Sequence, residues 1–463
     1  MLIFLYQLML PGLIGRNIDT GTADFNSLAE KAEWGGSIFI GKMGKSYTEK
    51  VEADDAEGKG GKKKYVEKAL TMSDKLGESW ELADMGFRDS EVADGWLAGS
   101  TISEILETYL EDLVGETAYS YFGRQFPLMV KMLDVRGCTP LMVCPDDEVA
   151  GQRYDTLGKL KLWYVMDAEP GAKLYMGFKN DISATELYNR CHDGSLEEVL
   201  NVIVPHKGDV FLMTPGLVHA ASGGLVLAEI AESSDLDFKI YNWGDSVNAE
   251  SASFTADESG VGRNSGKPFR RSLMSDSSIN GVEELSLEAA FDFLNMSKYD
   301  NSLTISASGD SKAGPAHDPS VKSIAAEDAN AGKVTDKIVE RREFSVTKID
   351  LKDAIHINTG TTDAFVVYVC VSGSASLQIQ KEDAGIERYE INEGGLVLVP
   401  AEVTDFFLVP QDRNTVLLEA TVEPHEDVDQ YIDPDVEATL PSEEEPGKLS
   451  VEEFLRRNPG RMN

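Results

Sequence analysis

Two stretches of this chain repeat one local grammar, and that repetition restricts the fold more than any other feature. Between residues 126 and 245, short apolar runs alternate with turns: FPLMVKMLDV, PLMVC, KLWYVMDA, KLYMGF, GDVFLMTP, GLVLAEIA and FKIYNWG. From about 342 to 422 the pattern returns in DAFVVYVCVSGSASLQI, YEINEGGLVLVPAEV and NTVLLEATV. Short runs rich in branched and aromatic side chains, bounded by Gly, Pro and Asp, read as strands, and many of them at close spacing specify a sandwich or barrel. The expected fold is mainly β with inserted helices, built from two small barrels.

The segments around these units carry less core. STISEILETYLED (100–112) predicts a helix, with Ser100 or Thr101 as cap and Ile102, Ile105, Leu106 and Tyr109 on one face. EGKGGKKKYVEK (57–68) reads as an exposed loop. Residues 245–284 and 298–338 are rich in Ser, Ala, Gly and Asp, with a helical stretch, VEELSLEAAFDFLN, at 282–295 between them. The tail from 423 is acidic until Ser450 and Glu453, whose spacing suits a capping box. These texture changes divide the chain into an N-terminal extension (1–76), a first strand-rich unit (77–245), an insertion (246–341), a second unit (342–422) and an acidic tail (423–463).

Composition excludes several function classes. The 463 residues include 43 basic and 80 acidic side chains, for a net charge of −37. Such a surface repels phosphate backbones and anionic lipid, so neither nucleic acid nor a membrane is an expected partner. An anionic metabolite needs a pocket with its own cations. Protein partners remain open through the insertions and the acidic tail. Four cysteines, at 138, 144, 191 and 370, form no CxxC pair and no disulfide framework, as expected of reduced thiols in a cytoplasmic protein. The apolar start MLIFLYQLML has no preceding Lys or Arg and meets Pro11, so a packing strand is expected there rather than a signal or a span.

The densest chemistry lies in residues 207–244. Gly208-Asp209 and Pro215-Gly216 make turns into strands; His219 then starts a strand in an inward register, and Glu229 is expected to end it ten residues later. A His at that place is a common metal position in small barrels, although a lone His is more often a structural hydrogen-bonding residue.

At this point the sequence resembles the type I mannose-6-phosphate isomerases in their short bacterial form. The resemblance rests on Trp34-Gly35-Gly36, GESWELAD (77–84), FPLMVKMLD (126–134), GKLKLWYVMDAEPGAKLYMGF (158–178) and the block 207–244. It implies two cupin-like barrels of the double-stranded β-helix, RmlC-like kind. It also implies conversion of mannose 6-phosphate to fructose 6-phosphate, with zinc polarising the oxygens of the reacting carbons. The family's ligands are a Gln-x-His pair before Pro-Asp-Asp, a Glu in a Gly-Lys-x-Glu turn, and a His before Ala.

Carried over position by position, only His219 keeps its ligand identity. Met142 stands at the Gln, Cys144 at the first His and Lys161 at the Glu, while Asp245 replaces the family's Arg. Lys131, Lys159, Glu229, Ser234 and Asp235 match retained pocket positions. A thioether is a poor zinc donor and a protonated Lys is none, so no cofactor is expected, and zinc only if the chain is a working isomerase. The resemblance then implies a hexose-phosphate-binding relative, with Lys131, Lys159, Lys161 and Asp235 as ligand contacts and Lys159, Glu229 and Lys131 as any remaining catalytic groups. An active isomerase with an unusual site and a structural scaffold are the competing readings. A nucleophilic Cys144 lacks a base placed beside it by sequence.

Overall fold

The computed structural model describes residues 2–3, 27–52, 65–86, 88–93, 97–154, 156–243, 287–300, 304–305, 335–380 and 385–422. Asp245, Ser450, Glu453 and the acidic tail lie outside the described residues, as does the chain start beyond Leu2–Ile3.

The apolar runs form strands because their residues alternate between two buried faces. In Leu225–Glu232, Leu225 and Leu227 face one apolar cluster while Val226, Ala228 and Ile230 face another. Lys161–Ala168 behaves likewise, with Trp163 and Val165 on one side and Leu162, Tyr164 and Met166 on the other. A strand covered on both faces needs nearly continuous hydrophobicity, which explains runs such as KLWYVM.

The strands make two packed sheet pairs. In the first, a seven-stranded sheet runs Thr304–Ile305, Val210–Met213, Lys161–Ala168, Leu225–Glu232, Leu128–Val135, Leu76–Leu82, Leu28–Gly36. It faces a five-stranded sheet in the order Leu200–Ile203, Lys173–Phe178, His219–Ser222, Leu141–Val143, Phe238–Tyr241. In the second, a six-stranded sheet (Leu2–Ile3, Leu396–Val399, Val366–Ser372, Thr415–Thr421, Ser345–Leu351, Thr335–Glu340) faces a four-stranded one (Ile355–Asn358, Asp405–Pro410, Ser374–Gln380, Ile386–Asn392). The outer faces of the two larger sheets share a single apolar cluster, with Val130, Leu162, Ile230, Val346, Val367 and Leu398 among its members. The result is four β layers with the larger sheets back to back. Each fully buried Val, Leu or Ile contributes about 1.5–3 kcal/mol relative to exposure, so this shared cluster is a principal source of stability.

The helix expected near 100 runs Ile102–Tyr109. Thr101 Oγ1 accepts from the Glu104 amide at 3.2 Å and Glu104 Oε2 accepts from the Thr101 amide at 3.0 Å, a reciprocal capping box. Ile102, Ile105 and Leu106 are buried, as their spacing predicts.

Several expectations need correction. His219 and Glu229 occupy different strands, because Gly223 (φ 81°) and Gly224 (φ 87°) turn the chain between His219–Ser222 and Leu225–Glu232. Of the stretch 282–295, the described part is helical only over Leu287–Ala290 and continues as turns. Tyr65–Ala69 is not a loop but an exposed strand paired with Thr48–Glu52. Trp34-Gly35-Gly36 lies on Leu28–Gly36, which extends the seven-stranded sheet against Leu76–Leu82. Its glycines serve close approach: a Cβ on Gly35 would lie 2.5 Å from the Gly77 nitrogen, and one on Gly36 would lie 2.3 Å from Asp134 Oδ2. Among the described residues no helix is long and apolar enough to cross a membrane.

Candidate functional site

The inner face of the first sheet pair carries an unusual density of buried charge. Lys159 immediately precedes Lys161–Ala168, and residues two apart on an extended segment share a face, so Lys159, Lys161 and Trp163 enter together. Glu229 on Leu225–Glu232 lies in register with Trp163 on one side and Lys131 on the other. His219 starts a strand of the opposing sheet, and Cys144 follows Leu141–Val143 beside it. Lys159 is fully buried, Lys161 is 2% exposed and His219 is 1% exposed.

Burying cations requires counter-charge, and here one carboxylate supplies most of it. Asp237 Oδ2 lies 2.5 Å from Lys159 Nζ, and Asp237 Oδ1 lies 2.6 Å from Lys161 Nζ. The same Oδ1 accepts a hydrogen bond from Cys144 Sγ at 3.0 Å. Glu229 Oε2 accepts from Trp163 Nε1 at 2.7 Å and lies 3.9 Å from Lys161 Nζ. Lys131 stands at the edge of this group, 3.3 Å from Glu78 and 3.5 Å from the centre of the Trp80 ring.

The electrostatics follow from the geometry. Burial opposes the charged form of Asp237, but Lys159 and Lys161 override it and hold the carboxyl well below its ordinary range. Burial likewise opposes both ammonium groups, and Asp237 holds each of them protonated above the ordinary lysine value. Glu229 is lowered as well, its burial outweighed by Lys161, Lys159 and Lys131. Burial, reinforced by Asp237, pushes the Cys144 thiol upward, so the thiol keeps its proton and is no nucleophile. Burial and the charge of Lys161 lower His219 to about 3. Its Nδ1 lies 2.9 Å from the Leu217 carbonyl and donates to it, which leaves the lone pair on Nε2. That Nε2 is buried without a hydrogen-bond partner.

Among the sequence-expected residues, Lys159, Lys161, Glu229, Cys144 and His219 are therefore brought together, with Lys131 adjoining. Met142 pairs with His219 across the small sheet, half-buried, and forms no part of the ion cluster. Asp235 lies two residues before Asp237, and its charge acts on Glu30, which also feels Glu78 and Lys131. Ser234 donates to the Leu157 carbonyl at 2.8 Å and so holds the approach to Lys159. Sequence reasoning missed Asp237, on which the cluster centres, and Trp163, which anchors Glu229. Two lysines on one face of a core strand were the available signal, because such a pair demands a carboxylate.

Whether this arrangement suits the zinc that the resemblance implies is a matter of donor chemistry. Cys144, His219 and Asp237 offer donor atoms that all lie within 4.8 Å of one another. Both oxygens of Asp237, however, already bind ammonium groups, and the protonated thiol hydrogen-bonds to the same carboxylate. A dication cannot share that carboxylate with two ammonium ions in a desolvated setting. The residues as arranged do not fit zinc.

Comparison with known proteins follows the same line. ManA of Bacillus subtilis, a mannose-6-phosphate isomerase, is 31% identical over 172 residues, which cover 37% of this chain and 53% of ManA. A mannose-6-phosphate isomerase of Streptococcus mutans is 30% identical over 171 residues, 37% of this chain and 52% of the relative. The chain thus spans about half the length of the curated relatives it matches. The crystal structure of the mannose 6-phosphate isomerase from Bacillus subtilis superposes with a TM-score of 0.58 at 21% identity, covering 86% of this chain and 98% of that one. No protein-family model matches the chain. The mainly β architecture with few helices is that of these cupin-fold neighbours.

Proposed function

We propose that this chain, which resembles the mannose-6-phosphate isomerases over about half of their length, binds a hexose phosphate without zinc and without isomerising it at an appreciable rate. The observation that carries this reading is the pair of ammonium groups on Asp237, at 2.5 and 2.6 Å. They supply positive charge inside a chain of net charge −37 and engage both oxygens of Asp237.

Aldose–ketose isomerisation needs a base near neutral pKa to move a proton between adjacent carbons, and electrophilic help for the oxygens. The buried groups are poorly matched to that task. Lys159 and Lys161 are held protonated, Glu229 is held below its usual value, and Cys144 keeps its proton. His219 Nε2 is an available lone pair, but at about 3 it is a weak base. The absence of a matched base alone removes about 10²- to 10⁴-fold of rate.

Binding is a lesser demand. Asp237 keeps 18% of its side-chain surface exposed while Lys159 is fully enclosed, so Asp237 is the point at which the pair meets a ligand. A carboxylate edge accepts sugar hydroxyls, and the lysines behind it set a positive local field. The ligand class comes from the relatives, which are named for mannose 6-phosphate.

Calorimetric titration of chelator-treated protein with mannose 6-phosphate and fructose 6-phosphate tests this reading, run beside a coupled isomerase assay. Saturable binding without turnover supports it. No binding at millimolar ligand removes the ligand class, and zinc-independent turnover at a family-like rate restores the enzyme.

A further inference from the structure

We infer that Glu232 is a positioning residue for the hexose-phosphate site, and that its carboxyl group couples the paired lysines to the second sheet pair and to the pH of the solution. Its ligand, though not its geometry, rests on the proposed function.

Leu160 stands between Lys159 and Lys161, so whatever fixes its backbone aims both ammonium groups. Glu232 engages both polar backbone groups of Leu160. Its amide donates to the Leu160 carbonyl at 3.1 Å, and its Oε2 accepts from the Leu160 amide at 2.6 Å. The residues just before are held as closely. Ser234 Oγ donates to the Leu157 carbonyl at 2.8 Å, and Asp147 Oδ1 accepts from the Gly158 amide at 2.9 Å. The Pro145 carbonyl accepts from the Lys159 amide at 3.1 Å. Four consecutive residues leading into Lys161–Ala168 are thus tied, and the ties to Asp147 and Glu232 carry charge that pH can change.

Side-chain alternation sends the lysines toward the ion cluster and Leu160 toward the apolar layer shared by the two larger sheets. Glu232, 4% exposed, meets titratable groups from three elements. These are Tyr121 on helix Glu116–Phe122, Asp147 on helix Asp147–Tyr154, and Arg342 with Glu343 in the turn between Thr335–Glu340 and Ser345–Leu351. Arg342 Nη2 also lies 3.4 Å from Asp147 Oδ2, so the second sheet pair touches the carboxylate that holds Gly158. Burial, with Asp147 adding to it, raises Glu232 to about 8. Ionisation therefore places a further negative charge in a desolvated setting. The new carboxylate competes with Asp147 for Arg342, which loosens the hold on the lysine segment, and it weakens the positive field met by an anion.

The sign follows from linkage. Above pH 7 a phosphate monoester has passed its second ionisation, near pH 6. The lysines and Cys144 are held higher still, and His219 lies at about 3. Affinity falls as pH rises through about 8, by up to about 10-fold between pH 7 and 9.

Calorimetry tests this with the Kd of mannose 6-phosphate from pH 6.5 to 9 for wild type, Glu232→Gln and Arg342→Ala. Hydrogen exchange of the ligand-free proteins, corrected for intrinsic rate and read by mass spectrometry on a peptide spanning residues 157–164, reports the backbone ties without any ligand. A peptide over Val366–Ser372 serves as control. Wild type should lose affinity, and protection beyond that of the control, through about pH 8. Glu232→Gln still offers Leu160 an acceptor and cannot ionise, so both readouts should vary by less than about 2-fold. Arg342→Ala removes a cation that favours ionised Glu232 and should move the midpoint of both curves to higher pH. Wild-type curves that stay flat from pH 7 to 9, or a Glu232→Gln variant that keeps the wild-type slope, overturn the inference. No binding of mannose 6-phosphate to wild type removes the proposed ligand, and the exchange curves then decide the positioning role by themselves.

Discussion

Asp237 is the residue on which the site depends. It neutralises two buried ammonium groups and accepts from Cys144, so its loss leaves cations in a low-dielectric interior without compensation. Asp237→Asn should destabilise the protein by about 3–5 kcal/mol, measured by urea unfolding at neutral pH. Trp163→Phe is a milder change of nearly equal shape. It deprives Glu229 of its 2.7 Å donor and should cost about 1–3 kcal/mol in the same assay. The sequence made Lys159, Lys161, His219 and Cys144 visible because they sit inside long motifs. Asp237 was not visible, since SSDLD reads as turn chemistry and nothing local shows that its second aspartate reaches two lysines nearly eighty residues away.

At the level of elements, the site depends on turns that set one strand against another. Gly216, at φ 80°, follows Pro215; its amide donates to the Cys144 carbonyl at 2.8 Å and its carbonyl accepts from Asn295. One residue thereby fixes the approach to His219 and the Cys144 segment together. A Cβ there would lie 2.5 Å from the Phe293 carbonyl, so Gly216→Ala is both strained and crowded. It should lower the melting temperature clearly, with a loss of about 1–3 kcal/mol or more. Strand existence was legible from the apolar runs, whereas strand breaks were not. Gly223-Gly224 looked like an interruption within one long strand and instead separates His219 from Glu229 onto different sheets.

The two units also repeat one element pairing. Glu419 lies opposite Tyr368 as Glu229 lies opposite Trp163, and Tyr368 donates to Glu419 at 2.9 Å. The cross-strand partner of Glu229 on its other side is Lys131, whereas that of Glu419 is Thr347. The second unit therefore keeps the carboxylate and its aromatic donor without that lysine. The shared apolar grammar of the two stretches announced the repetition, but only the register reveals which residues correspond.

For the whole molecule, the back-to-back packing of the larger sheets makes the two sheet pairs share one apolar cluster, so unfolding of one exposes the other. At the end of Leu225–Glu232, Glu232 accepts from the Leu160 amide at 2.6 Å, near Tyr121, Asp147, Arg342 and Glu343. Burial, with Asp147 adding to it, raises its carboxyl to about 8. The folded protein then holds a proton that the unfolded chain has lost, and stability falls as pH rises from about 4.5 to about 8. His219 acts in the opposite sense. Its folded value of about 3 lies below the ordinary 6.5, so stability falls as pH drops through that window. Above pH 6.5 only the Glu232 slope remains of these two, at up to about 1.4 kcal/mol per pH unit. Glu232→Gln keeps an acceptor for Leu160 and should flatten urea stability between pH 6.5 and 8.

The layered architecture was legible as a class, and the displaced donors were legible as substitutions. The carboxylate that joins them, Asp237, was not, because a buried ion cluster is a property of four segments meeting. The direct measurement is metal content per chain, by elemental mass spectrometry, on protein produced with added zinc and purified without chelator. An ammonium-filled site should carry less than about a tenth of an equivalent of zinc. One full equivalent, lost on Cys144→Ser or His219→Ala substitution, would mean that Lys161 is not the cation of this site and that the site holds a metal.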